Sequence, residues 1–308
     1  MSVCRLTIRL CPKSDAVSAT IQNMKRRHAL LSTSIATLSL VACSGEEATP
    51  LISTTTPVIA EVTTTTSTTT STSTTTTLPP TEAVFSIGET VQGASIDVIH
   101  RVDTAGSQLA STDPSRVVVL VVGVIHGNEQ AGLDVIEELR NMAPRDIPAN
   151  VDLFLMPALN VDGLNMNQRQ NANGVDLNRN FPYNWGPISQ LGNWEYSGPS
   201  SASEPETKAM TAFVDELRPD LTVWFHQDEF SIAPSSGPDK AVREEYARLT
   251  GLPLEGVPGG TYTGVAATWQ RRTYVDDTAF IVELGSTLAP GEALIHARAI
   301  LSVSQILP

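Results

Sequence analysis

The chain has 308 residues, with 33 Asp and Glu against 20 Lys and Arg and a formal net charge of -13. That balance disfavours nucleic acid and anionic lipid as partners of the folded surface and is read as serving solubility. All three cysteines, Cys4, Cys11 and Cys43, precede the folded part, so no disulfide framework is expected of a domain large enough to stand on its apolar core.

In chain order, Lys25-Arg26-Arg27-His28 is a basic stretch, followed by a short apolar run over 29–42. The run is below the length of about 20 residues that spans a bilayer, so it reads as a signal region, 1–42, rather than a membrane helix. A start at Met24 would remove the leading 23 or so residues. Leu40-Val41-Ala42-Cys43 resembles a bacterial lipobox, which predicts lipidation of Cys43 and a chain exported to the outer side of the cell membrane, facing the wall. The lipid anchor would be its one contact with the membrane. Residues 43–81 are Thr-, Ser- and Pro-rich, nearly pure Thr and Ser over 63–77. With no apolar face to bury, such a segment is expected to be a disordered tether, open to glycosylation. Its roughly 38 residues reach roughly 35 Å as a coil and more than about 100 Å when stretched.

Residues 82–308 read as one catalytic domain. Strands are expected at 85–87 and 95–100, and the β-branched run 117–122 predicts a strand covered on both faces. A helix over 129–142 would bury Leu133, Ile136, Leu139 and Met142. A strand at 151–156 leads to Asn160-Val161-Asp162-Gly163, read as a turn. Ser203-Glu204-Pro205-Glu206 reads as a capping box opening a helix to about residue 217. Strands at 221–225 and 279–282 and a closing helix over 292–307 complete the series. Alternating strands and helices without a repeat predict an α/β class fold, a single three-layer α/β/α sandwich, doubly wound.

Four patches carry the chemistry: His126-Gly127-Asn128-Glu129, the segment 174–181 around Asn178-Arg179, Phe225-His226, and Glu283 at the end of Phe280-Ile281-Val282. Each follows or interrupts a buried-strand pattern, where an open α/β sheet presents its ligand groups. His126 and Glu129, three residues apart, can converge on one ion, and His226 would complete a His-Glu-His site with its fourth position open to water. Glu283 ends an apolar strand and is placed to take a proton from that water. Taken singly, His126 could be a core histidine, Glu129 a helix N-terminal carboxylate, Asn178-Arg179 a polar loop and His226 a strand cap; their joint occurrence argues against these readings. His28, His100 and His296 have no acidic or histidine companion at ligand spacing and are read as structural or exposed.

These residues, in this order, resemble the metallocarboxypeptidases of the carboxypeptidase A type, over about residues 117–284. The resemblance implies a mixed, mostly parallel sheet, one Zn2+ per domain held by His126, Glu129 and His226, and Glu283 as general base. It implies that Asn178 and Arg179 grip the substrate's terminal carboxylate, that Arg169 polarises the scissile carbonyl, and that Asp176 accepts a hydrogen bond from a zinc-bound imidazole. It also implies that Tyr262 closes over bound substrate. The segment 173–182 and Ser203–Glu206 look most like the bacterial murein tripeptide amidase branch, which implies a murein peptide substrate cut at the γ-D-glutamyl to diaminopimelate bond. A departure is Leu284-Gly285-Ser286 after Glu283, where that branch has proline. If Trp269 aligns with the family, Ala267 lies near the floor of the specificity pocket, with no acid there to select a basic side chain. The alternatives are a general extracellular carboxypeptidase acting on ordinary L-peptides and a related zinc deacylase of N-acyl amino acids; the Asn-Arg segment and Glu283 favour the peptidase.

Overall fold

The computed structural model describes residues 81–256 and 262–308. The signal region, Cys43 and the tether up to residue 80 lie outside the described residues. Six strands form one sheet in the order β1-β2-β4-β3-β5-β6. They are β1 (Ala83–Glu89), β2 (Ser95–His100), β3 (Val117–Val124), β4 (Val151–Ala158), β5 (Leu221–Gln227) and β6 (Thr278–Leu284). β1 with β2 and β2 with β4 are antiparallel, whereas β4, β3, β5 and β6 run parallel. The sheet is therefore mixed, as expected.

Two-sided burial explains the unbroken apolar run of β3. Val119 and Val121 join one core with α1 (Gly132–Asn141), α4 (Lys240–Thr250) and α6 (Glu292–Val303). Val118, Leu120 and Val122 join the other, with α3 (Pro205–Leu217) and α5 (Ala266–Thr273). Alternate side chains of a strand point to opposite faces, so helices on both sides bury all of them. Each fully buried Val or Leu contributes about 1.5–3 kcal/mol, which favours covering both faces.

Several expectations need correction. The first predicted helix begins at Gly132 rather than at residue 129, and its buried stripe is Val135, Ile136 and Leu139, with Leu133 and Met142 only partly covered. Asn160 to Gly163 is not a free turn: Asn160 accepts from the Gly163 N–H and caps α2 (Val161–Met166). An Asn three residues before a Gly suits either structure, because the same side-chain oxygen closes an Asx turn or an N-cap. No capping box forms at Ser203, since the cap of α3 is Glu204 and its side chain makes no cap hydrogen bond. Glu204 and Glu206 instead accept from Asn171, at 2.8 and 3.0 Å, and tie α3 to the loop that leads to Asp176 and Asn178. Helices α4 and α5 were not anticipated, and the closing helix ends at Val303 rather than at residue 307.

This topology places the site. The connection from β3 turns to one side, to β4, and β5 lies on the other, so a crevice opens beyond their carboxyl ends. His126 follows β3 by two residues, His226 lies near the end of β5, and Glu283 near the end of β6 is its register partner. The Gly127 backbone lies directly on Gly163: a Cβ at Gly127 would come within 1.9 Å of the Gly163 carbonyl carbon. Only glycine lets the loop holding His126 and Glu129 sit that deep.

Candidate active site

The structure brings His126, Glu129 and His226 together, all three buried. His126 Nδ1 lies 2.9 Å from Glu129 Oε1, and His226 Nδ1 lies 2.9 Å from Glu129 Oε2. The two Nδ1 atoms are 3.1 Å apart. With each ring's proton on its far nitrogen, two Nδ1 lone pairs and a carboxylate converge on one point, which suits a cation. This is the one His/Cys/Asp/Glu group of metal-binding geometry among the described residues.

Asp176 fixes the tautomer that such a site needs. Its Oδ1 is 2.9 Å from His126 Nε2, so that nitrogen donates and Nδ1 keeps its lone pair. Asp176 also accepts from the Asn178 N–H and caps the single 3-10 turn Leu177–Arg179. Burial pushes the Asp176 carboxyl up, but His126, Arg169 and Arg179 outweigh it and hold the group well below the usual carboxylate range. Glu129 is likewise held well below that range, because His126 and His226 overcome its burial. Burial pulls the His126 imidazole down, yet Glu129 and Asp176 leave it raised overall.

Glu283 meets different surroundings. Burial pushes its carboxyl above the ordinary value and Glu129 adds to the rise, against a pull from His226. Its buried Oε2 has no hydrogen-bond partner among the described residues. One carboxylate held ionised beside another pushed upward is the pattern that separates ligand from acid-base work.

The cavity around these groups is about 410 Å³ and also takes in Asn178, Arg179, Arg169 and Tyr262. Asn178 is fixed by accepting from the Ala266 N–H at 3.0 Å, and its Nδ2 lies 3.3 Å from His226 Nε2. Arg179 donates to Glu195 Oε1 at 2.8 Å, and its guanidinium sits 5.3 Å from the centre of the Tyr262 ring. Arg169 donates to Glu129 at 3.0 Å and to Asp176 at 2.9 Å, under the ring of Trp194. Every site residue expected within the folded part thus lines or adjoins one cavity; Cys43 lies outside the described residues. Ala267 does line the cavity, and Arg243 and Arg271, unforeseen, stand with it. Glu195 was also missed, since its polar loop shows no periodicity. His100 and His296 have spatial partners invisible in sequence. His100 Nε2 is 2.6 Å from Asp152, and His296 Nδ1 is 2.8 Å from the Tyr246 hydroxyl, which fits a structural role for both.

The zinc carboxypeptidase family profile (Peptidase_M14) matches residues 71–245. The chain belongs to the zinc carboxypeptidase family. Carboxypeptidase SOL1 of Arabidopsis thaliana is 31% identical over 144 residues, 44% of this chain and 27% of that protein. Murein peptide amidase A of Escherichia coli K12 is 33% identical over 124 residues, 36% of this chain and 50% of that protein. The chain thus spans about a quarter to a half of these relatives. In fold, the crystal structure of a murein-tripeptide amidase from Escherichia coli O157 matches with a TM-score of 0.54 at 22% identity, covering 75% of this chain and 93% of that one. The family is one of zinc enzymes, and the converging His126, Glu129 and His226 donors fit that ion.

Asp176→Asn keeps the side-chain volume but removes the charge that polarises His126. It is expected to weaken zinc binding roughly 10–100-fold. Competition against a chromophoric chelator checks this, and an unchanged affinity would remove Asp176 from the metal site.

Proposed function

We propose that this protein is a zinc-dependent carboxypeptidase-type hydrolase that releases the C-terminal residue of wall-derived peptides. The supporting observation is the buried His126-Glu129-His226 group, with Glu283 and the Asn178-Arg179 pair lining the same cavity. His126 Nδ1, Glu129 and His226 Nδ1 would hold the zinc. When bound, that ion supplies a Lewis acid for the scissile carbonyl and lowers the pKa of a water molecule toward neutrality.

The rest follows from the chain's own residues. Glu283, with a free buried oxygen, accepts the proton of the attacking water and passes it to the departing amine. Arg179, set in place by Glu195, takes the substrate's terminal carboxylate together with Asn178. Such an anchor directs the cut to the last peptide bond. Arg169, held at the cavity wall by Glu129 and Asp176, would offer a remaining N–H to the oxygen that gains charge. Tyr262, its ring 5.3 Å from the Arg179 guanidinium, would cover the bound end of the peptide.

Murein peptide as substrate is supported by the similarity to murein peptide amidase A and by the lipobox ending in Cys43, followed by a long tether. Similarity to carboxypeptidase SOL1 favours a second reading, a general carboxypeptidase of L-peptides. Incubating the purified protein with L-Ala-γ-D-Glu-diaminopimelate and with an ordinary L-peptide separates them. Chelator-sensitive release of diaminopimelate alone supports the murein reading, and release from the L-peptide alone overturns it. Export and anchoring are tested by Cys43→Ser, expected to move the protein from the membrane to the soluble fraction; unchanged membrane association would refute the lipid anchor.

A further inference from the structure

The inner wall of the cavity carries more positive charge than its neighbours neutralise. Ala267 and Arg271 lie four residues apart on α5, hence on one helical face, and both line the cavity with Thr268, Arg243 and Ala233. Arg243 has a carboxylate: its Nε and Nη2 donate to Asp239 Oδ2 at 2.7 and 2.6 Å, and its Nη1 donates to the Ala233 carbonyl. Arg271 has none among the described residues. It donates to the Ala279 carbonyl at 2.5 Å and to Thr268 Oγ1 at 3.4 Å, both neutral acceptors.

Two guanidiniums therefore share one carboxylate, and the unmatched charge belongs to Arg271. Burial, with Arg243 nearby, pulls its pKa down to about 10, which leaves it cationic at neutral pH. The acids of the same cavity do not answer it. Glu129 and Glu195 are bound to His126, His226 and Arg179; Glu283 makes no ion pair with Arg271 among the described residues; Asp228 and Glu229 are exposed. A partly buried cation without an anion is costly, and an arriving carboxylate recovers that cost through charge-assisted, bidentate hydrogen bonds. A cationic side chain would meet two like charges instead. Ala267, one turn back on the same cavity-lining face, carries only a small side chain.

We propose that this cavity selects, as the released residue, one whose side chain carries a carboxylate, with Arg271 as the selecting group and Arg243 reinforcing the field. This rests on the carboxypeptidase-type reading. The carboxylate could be that of glutamate or aspartate, or the distal carboxylate of diaminopimelate. In the last case Asp228 and Glu229, exposed at the same cavity, are the acids available to the ammonium beside it.

The test uses the zinc-loaded full chain and peptides identical except for a final Glu, Phe, Lys or diaminopimelate. Expected is a kcat/KM ratio of Glu over Phe, or of diaminopimelate over Phe, of at least about tenfold, with Lys the poorest. A preference for Glu marks an ordinary acidic residue as ligand, and one for diaminopimelate alone marks the wall residue. Arg271→Gln should bring the ratio to near one, and Arg271→Lys should retain part of it. A native preference for Phe or Lys, or a ratio unmoved by Arg271→Gln, overturns the proposal. Calorimetric binding of Gly-Glu and Gly-Phe provides a readout that needs no turnover. If no peptide is cut, yet Gly-Glu binds more tightly and Arg271→Gln abolishes the difference, the carboxypeptidase reading fails and the pocket assignment stands. Equal binding of the two dipeptides overturns the assignment itself.

Discussion

Glu283→Gln is expected to lower kcat by about 10²–10⁴-fold while the protein keeps its full zinc content. The substitution is nearly isosteric at a position whose main-chain N–H and C=O are paired with Ser231 at 3.0 Å, so the strand end keeps its place. The amide, however, cannot accept and return a proton. Because Glu283 makes none of the contacts that join His126, Glu129 and His226, metal affinity should change little. Equal metal content with the activity gone would separate a proton-transfer role from a ligand role. Activity within a few-fold of native would mean that the proton passes through another group.

The second large effect is expected of His226→Ala. Its Nδ1 faces both Glu129 and His126, so its removal takes away one of three donors and leaves two facing a void. Zinc affinity should fall by well more than the roughly 10–100-fold expected for a supporting residue such as Asp176. Activity should vanish with the metal. Equilibrium dialysis followed by metal analysis measures this, and zinc retained at one per chain after the substitution would show that His226 is not a ligand. The fold should survive the change better than a core truncation would, since His226 lies at the strand end while Val223 and Phe225 fill the core.

The parts of the molecule legible in sequence are those fixed by local pattern. Residues 117–122 announced a doubly covered strand because burial on both faces leaves no polar alternation, and β3 is such a strand. His126 and Glu129 were legible because three-residue spacing brings two side chains together on a tight turn or a first helical turn. Asp176, Arg169 and Tyr262 were reachable only through resemblance, since each belongs to the site by a long-range contact. Arg243 and Arg271 lay beyond both routes. Periodicity tells which face of α4 or α5 is apolar, not where a long basic side chain ends, and nothing local distinguishes the Arg that finds Asp239 from the one that does not. Helix α5 itself was missed because Gln270-Arg271-Arg272-Thr273 dilutes its apolar face to little beyond Trp269 and the small Ala266 and Ala267. The polar loop with Glu195 escaped for a different reason: its place depends on Arg179, 16 residues before it.

The central claim is that the His126-Glu129-His226 group and the Asn178-Arg179 pair act together on a free peptide C-terminus. The most direct measurement offers the zinc-loaded protein one peptide as its free acid and as its C-terminal amide, with and without chelator, and identifies the products by mass. Release of the terminal residue from the free acid alone, abolished by chelator and restored by zinc, is the predicted result. Cleavage of the amide at a comparable rate, cuts within the peptide, or turnover indifferent to chelator would contradict it.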